Sequence, residues 1–317
     1  MDTPRGCLLG WVAYAVTAVV SAVGENKLLP ISDSACKVIN GHTGYVRDNS
    51  SWIIGRVVRD FEGWMDNGEQ NGPIRTRLGE MIERRWEDDK KKAEHNVPGS
   101  GKDIPKPAQA GLCVSVYKAG EARPGYPGYD LVYYIGFVTA IVQLGIAAIP
   151  CSLFGDWAIF LVTVCGISLS FLTGGLSQWT KEKWACRRNS KKTVILTRGN
   201  GSQHAIVIIG DGKGLDLEDL AVGPTNLQVS ASNTTRVAVI ILAIFWVLLL
   251  ITAAGIKENT WFLLAIGGIG ILQNIYVAGR MRFPKAFGVP LHFERVIMEL
   301  KVMETLFAVE QVYPCIA

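Results

Sequence analysis

The sequence predicts a mainly α, polytopic membrane protein with about five transmembrane helices, amphipathic cytosolic helices and a small cytosolic β-hairpin module. Three observations predict it. The 317-residue chain is 49% hydrophobic and only 19% charged, more apolar than an ordinary soluble domain. Its apolar residues gather into five runs free of Asp, Glu, Lys and Arg: Cys7–Val23, Leu131–Ile149, Trp157–Leu176, Val237–Ile256 and Trp261–Gly279. Its Lys and Arg residues are spread unevenly between the loops that join those runs.

Each run reaches roughly the 17–25 residues that a helix needs to cross a bilayer core of about 30 Å. Hydrocarbon leaves no partner for an unpaired peptide group, so such segments must be helical. Transmembrane helices are therefore expected at residues 7–23, 131–149, 157–176, 237–256 and 261–279. The soluble alternative would need five charge-free helices buried in one core.

Orientation follows from the cations near the helix ends. The turn at 150–156 has no Lys or Arg, and the turn between the fourth and fifth runs has only Lys257. After the third run come Lys181, Lys183, Arg187, Arg188, Lys191 and Lys192, and after the fifth Arg280, Arg282 and Lys285. Residues 25–130, 177–236 and 280–317 are therefore expected in the cytosol. The first run has a second reading. Arg5, an apolar stretch, and Ala22 and Gly24 before Glu25 resemble a cleavable signal peptide. Cleavage would reverse the parity and place the basic segment in the lumen, against the charge distribution. The sequons at Asn49, Asn200 and Asn233 all fall on the cytosolic side of the expected topology.

Outside the runs, residues 25–95 are expected to be a cytosolic helical segment. In "SWIIGRVVRDFEGWMD", Ile53, Ile54, Val57, Val58, Phe61, Trp64 and Met65 recur at helical spacing, with Arg56, Arg59, Asp60 and Glu62 elsewhere. Such a helix suits either the headgroup layer or a packed neighbour. A thinner stripe of Leu78, Met81, Ile82 and Trp86 predicts a helix over 75–95. Residues 96–129, with Pro98, Pro105, Pro107, Pro124 and Pro127 among glycines, read as a linker. Residues 177–236 join the basic patch to "TVILT" and "HAIVIIG", a β-hairpin whose loop carries Gly199 and Gly201. "LDLEDLA" reads as a helical turn. In 291–313, Phe293, Val296, Ile297, Leu300, Met303 and Phe307 share one face of an expected amphipathic helix.

The chemistry-bearing motifs are few. Lys213 is followed by Gly214 instead of the Ser or Thr of a phosphate-binding P-loop, and Gly199 and Gly201 lead into a strand and not into a helix. These glycines are expected in turns. Seven cysteines show no paired spacing, the four histidines are scattered, and HExxH and GxSxG are absent. His204 with Asp211 is the one pair left for catalysis, so a non-enzyme without cofactor or metal is expected. Lys181, Lys183, Arg187, Arg188, Lys191 and Lys192 are the expected contacts to anionic lipid headgroups, each worth about 1 kcal/mol near a charged surface. Cys186 beside them is a candidate for palmitoylation. No nucleic acid is expected. A homo-oligomer or a cytosolic protein partner remains open, as does the choice between plasma membrane and endomembrane.

Small and polar residues mark one face of several runs: Gly136, Ala140, Gln143 and Ala147; Thr163, Gly166, Ser170 and Thr173; Gly267, Gly270 and Asn274. Helix packing explains them. A channel or transporter would need them to line a path, and the runs offer no charged group or histidine to drive one.

"WACRRNSKKTVILTRGNGSQHAIVIIGDGKGLDLEDLA", "GDWAIFLVT", "LLLITAAGIKENTWFLLAIGGIGILQNIYVAG" and "KVMETLFAVEQVYP" together resemble a family of uncharacterised multi-pass integral membrane proteins of filamentous fungi. The resemblance runs from about "GENKLLP" onward. It implies a fungal membrane protein, carries no activity to transfer, and implies chains that continue past "YP". The expected function is a non-enzymatic scaffold or anchor that displays cytosolic modules to lipid or protein, with a small-solute channel or transporter as the alternative.

Overall fold

The computed structural model describes residues 28–29, 32, 34–69, 71–96, 104–126, 128–225 and 229–314. The expected first span, 7–23, lies outside them. About 56% of the structure is helical, and the chain divides into two compact units, one of helices and one built on a sheet.

The helical unit takes residues 124–185 and 224–280, together with the described residues before 31. In chain order the helices among the described residues are α1 (Trp52–Arg59), α2 (Phe61–Trp64), α3 (Pro73–Asn96), α4 (Leu131–Phe154), α5 (Ala158–Gly174), α6 (Ser177–Lys183), α7 (Leu217–Val222), α8 (Asn233–Gly255), α9 (Thr260–Gly279) and α10 (Val302–Val312). The helical unit holds α4, α5, α6, α8 and α9. Asp130 and Ser232 cap α4 and α8 by accepting the amides of Tyr133 and Thr235. Gly155, at φ +68°, ends α4 in the left-handed conformation glycine adopts without strain.

Among the described residues, α4, α8 and α9 are long and apolar enough to cross a membrane. The number rises to four if α5 and α6, bent by 43° at their junction, form one broken span. Their outward faces are apolar: Ile141, Leu153, Leu264 and Leu272 are each 68–76% exposed. Their inward faces are the ones marked by small and polar residues. Thr139, Gln143 and Ala147 of α4, Thr163 and Gly166 of α5, and Gly270 and Gln273 of α9 are buried. Ala147, Ile159, Phe262 and Ile266 form one core cluster, and Val162, Trp246 and Leu249 another. The Gln143 side-chain amide donates across to the Ile266 carbonyl at 3.1 Å, the interhelical bond that a polar side chain makes where water is scarce.

The sheet unit takes residues 31–123, 186–223 and 281–317. Its strands are β1 (Lys37–Asn40), β2 (Val46–Asp48), β3 (Cys113–Ala119), β4 (Arg188–Ser190), β5 (Val194–Thr197), β6 (His204–Ile209), β7 (Gly214–Leu215) and β8 (Leu291–Met298). Six form one sheet in the order β2-β1-β5-β6-β3-β8, and β4 pairs with β7 separately. All neighbours are antiparallel except β3 and β6, which run parallel with Cys113 opposite His204 and Lys118 opposite Ile209. On one face Val114, Val116, Ala205, Val207 and Ile297 pack with Val309 of α10. On the other, Tyr117 stacks edge-on against Phe61 and Trp64 and donates its hydroxyl to the Met65 carbonyl at 2.9 Å.

Several sequence expectations change here. The "hairpin module" of 177–236 is present as β5–β6 but is the middle of a larger sheet. The segment 25–95, expected to be helical, opens with the β1–β2 hairpin, whose turn is held by the Asn40 side chain accepting from the amides of His42 and Thr43. The 96–129 "linker" contains β3, whose first five residues are all buried. Its prolines and glycines flank the strand without entering it. The amphipathic helix expected over 291–313 is a strand, β8, followed by the shorter α10. "LHFERVIM" satisfies a helical period as well as a strand's, and the ladder offered by β3 decides it. The helix expected over 51–66 breaks at Asp60 into α1 and α2. All seven apolar residues singled out there are buried in this unit, so the packed reading replaces the headgroup one.

Candidate functional site: a groove at the carboxyl ends of the parallel strands

The expected basic patch is divided between the two units. Lys181 and Lys183 belong to α6 of the helical unit, where Lys183 lies 5.0 Å from the Trp184 ring centroid. Between them Glu182 is buried and accepts the amides of Leu28 and Leu29 and the side chain of Gln178, so this carboxylate anchors chain instead of meeting water.

In the sheet unit two of the cations are neutralised. Arg187 donates to both carboxylate oxygens of Asp219 and lies 3.6 Å from Asp216. Lys192 donates to Glu218 at 2.8 Å and lies 3.1 Å from Asp216. Glu218 also receives Asn40 at 2.8 Å and Arg47 at 3.1 Å, so the acidic turn of α7 ties three segments of chain together. Burial opposes the ionisation of Glu218, but the hydrogen bonds from Lys192, Asn40 and Arg47 outweigh it and hold its pKa down at about 2. The hydrogen bond from Arg187 holds the Asp219 carboxyl below its ordinary range. Cys186, next in chain, has its thiol pushed up to about 12 by burial and by Asp216 and Asp219, which suppresses the thiolate that acylation needs.

Arg188 and Lys191 are exposed, and Arg188 turns into a groove. The groove, of about 800 Å³, is lined by Lys118, Ala119, Gly120, Glu121, Ala122, Arg188, Asn189, Asp211, Lys213 and His292. It lies where β3 and β6 end, the position at which parallel strands stop and their following loops part. Lys118 and His292 are register neighbours on β3 and β8. Main-chain bonds fix the walls: Gly120 N–H to the Pro290 carbonyl at 2.8 Å, Ala122 N–H to Lys213 at 3.0 Å, and Gly212 N–H to Ser190 at 3.1 Å. Two glycines make room. A Cβ on Gly214 would stand 2.7 Å from the Ala119 Cβ, and one on Gly120 would stand 2.9 Å from Nε2 of His292.

The groove's electrostatics differ from those of its surroundings. Among the described residues, no carboxylate lies within ion-pairing distance of Lys118, Arg188 or Lys213, whereas Arg187, one residue away, is doubly engaged. Glu121 and Asp211 share the lining, and Glu121 faces Arg123 at 4.0 Å. The loop amides named above are spent within the protein, so recognition here falls to side chains. That agrees with the lack of a phosphate-loop motif. Gly199, Gly201 and Gly212 adopt positive φ, as turn residues should.

His204 and Asp211 do not meet. They flank opposite ends of β6, roughly 20 Å apart at strand rise. His204 packs its ring against Phe61 at 5.2 Å, and burial lowers its pKa. Lys118 and His292 escaped the sequence reading because their strands did. Lys213 is visible in "DGKG", a segment that matches no nucleotide-loop pattern. Comparison with protein-family models, with curated proteins and with solved structures finds no match to this chain.

Proposed function

We propose that the protein is an integral membrane scaffold, non-enzymatic, that holds a folded α/β module on the cytosolic side of a bilayer and offers its groove and exposed cations to lipid headgroups or to a protein. The observation that carries this reading is the make-up of the sheet. Adjacent strands β6, β3 and β8 come from three chain segments, separated by the helical pairs α4–α5 and α8–α9. One sheet cannot form across a bilayer, so in this reading each intervening pair crosses and returns. The same three segments are those that the Lys and Arg distribution assigns to the cytosol, an inference drawn from charge alone. Residues 7–23 add a fifth span in this reading. Lys181 and Lys183, directly after α5, and the exposed Arg188 and Lys191 serve as headgroup contacts. The resemblance to the fungal membrane family is compatible with this reading.

A channel or transporter draws on the buried Gln143, Thr163, Thr173 and Gln273. Three of these are bonded within the bundle, to the carbonyls of Ile266, Ile159 and Leu169. The fourth, Gln273, keeps its Oε1 buried without a hydrogen-bond partner among the described residues. Reconstitution separates the two readings. Purified protein in liposomes is expected to resist carbonate extraction and to leave ion and small-solute leakage at the level of empty vesicles. A saturable flux lost in Gln273→Leu would establish the channel instead.

A further inference from the structure

We infer that the groove at the carboxyl ends of β3 and β6 binds a phosphorylated polyol, such as an inositol phosphate, either free or as the headgroup of a lipid. The inference rests on the scaffold reading and assigns that groove a ligand class.

The lining sorts into two chemistries. Lys118, Arg188 and Lys213 are exposed cations without an ion-pair partner among the described residues, gathered from three separate strands and turns around one cavity. A phosphomonoester, with charge near −2 and three acceptor oxygens, is the kind of anion that cations so placed can pair with. Arg188 supplies a planar fork for two of those oxygens, and the two lysines supply point charges. Asp211 and Glu121 line the same cavity as pure acceptors. They would repel a bare polyphosphate. They suit a ligand whose hydroxyls donate beside its phosphate, and a polyol phosphate carries both groups on one small ring. A volume of about 800 Å³ accommodates it. Gly120 and Gly214 keep the floor clear, since a side chain at either would meet His292 or Ala119.

The test uses the full chain in phosphatidylcholine nanodiscs, titrated calorimetrically with a soluble inositol bisphosphate and with inorganic phosphate. Saturable binding of the inositol phosphate is expected. Arg188→Ala and Lys213→Ala should each weaken it about tenfold, the loss expected for one hydrogen-bonded charge. Asp211→Asn should weaken the inositol phosphate while sparing inorganic phosphate. All three side chains are exposed, so the variants are expected to melt like the parent. Absence of saturation, or variants that bind like the parent, overturns the proposal. A second titration in nanodiscs doped with phosphatidylinositol monophosphate names the source: competition identifies the lipid headgroup, and unchanged affinity a free metabolite. Carbonate extraction of the same preparation judges the membrane reading separately, so the two can fail independently.

Discussion

Glu218 concentrates more of the sheet unit's electrostatics than any other side chain described above. It is 7% exposed and receives Lys192, Arg47 and Asn40. Its pKa is depressed from 4.5 to about 2, so the ionised form is bound more tightly in the folded chain than in the unfolded one. The stability it contributes is present above about pH 4.5 and is lost as the pH falls toward 2. His204 acts in the same sense at higher pH. Its folded pKa lies below the ordinary 6.5, so protonation as the pH falls favours the unfolded chain. Glu218→Gln is expected to destabilise the unit by about 1–3 kcal/mol at neutral pH, the cost of weakening charged hydrogen bonds at a buried site. It should also flatten the acid limb of the melting profile below pH 4.5. An unchanged acid limb would show that the network holds no linkage. Gly210 tests packing at the same scale. Its φ is not in the left-handed region, yet a Cβ there would stand 2.5 Å from the Lys192 carbonyl oxygen, which is backbone and cannot swing aside. Gly210→Ala is expected to cost about 1–3 kcal/mol by thermal melting, whereas Gly79→Ala, where the space is open, should be neutral or stabilising.

At the scale of elements, legibility followed the length of the pattern. The apolar helices announce themselves over about twenty residues, and α4, α5, α8 and α9 fall within a few residues of the runs that predict them. The β5–β6 hairpin and the helical turn at α7 are also visible, since β-branched runs, turn glycines and the Asp216 cap act locally. β3 and β8 are not. Seven or eight residues hold too little periodicity to separate strand from helix or linker, and what makes them strands lies far along the chain: Cys113 pairs with Met298 on one side and His204 on the other. The groove was hidden for the same reason, because its cations converge only once those strands do. The burial of Ser115 and Cys113 within "CVSVYKA" shows what hydropathy missed, a central strand covered on both faces. Removal of residues 291–314 would therefore expose β3. Limited proteolysis is expected to cut near 113–119 in the truncated chain and to spare it in the parent, and equal protection would mean that β8 contributes nothing. In the bundle, Gln143→Leu gives up the bond to Ile266, and a loss of about 0.6–1.7 kcal/mol is expected in detergent unfolding.

For the whole molecule, two lines of argument support the proposed arrangement. In that reading charge asymmetry assigns three segments to one side, and a sheet built from those same segments needs them in one compartment. The sheet argument does not say which compartment, and the charge argument does not say that the segments fold together. The native sequons supply an economical check, because Asn49 and Asn200 both belong to the sheet unit. Asn200 is exposed at the tip of the β5–β6 hairpin, whereas Asn49 is half-buried and bonded to Ser51. Asn200 is thus the better reporter, and no Endo H-sensitive shift is expected at it.

The most direct measurement inserts a flexible loop carrying one sequon at each of four places, beside Asp156, Asn200, Lys257 and Pro314, in chains expressed in a yeast host. Shifts are expected from the insertions at Asp156 and Lys257 and from neither of the others. Different fates for the Asn200 and Pro314 insertions, or a turn insertion that shares theirs, would contradict a sheet assembled on one side of a membrane.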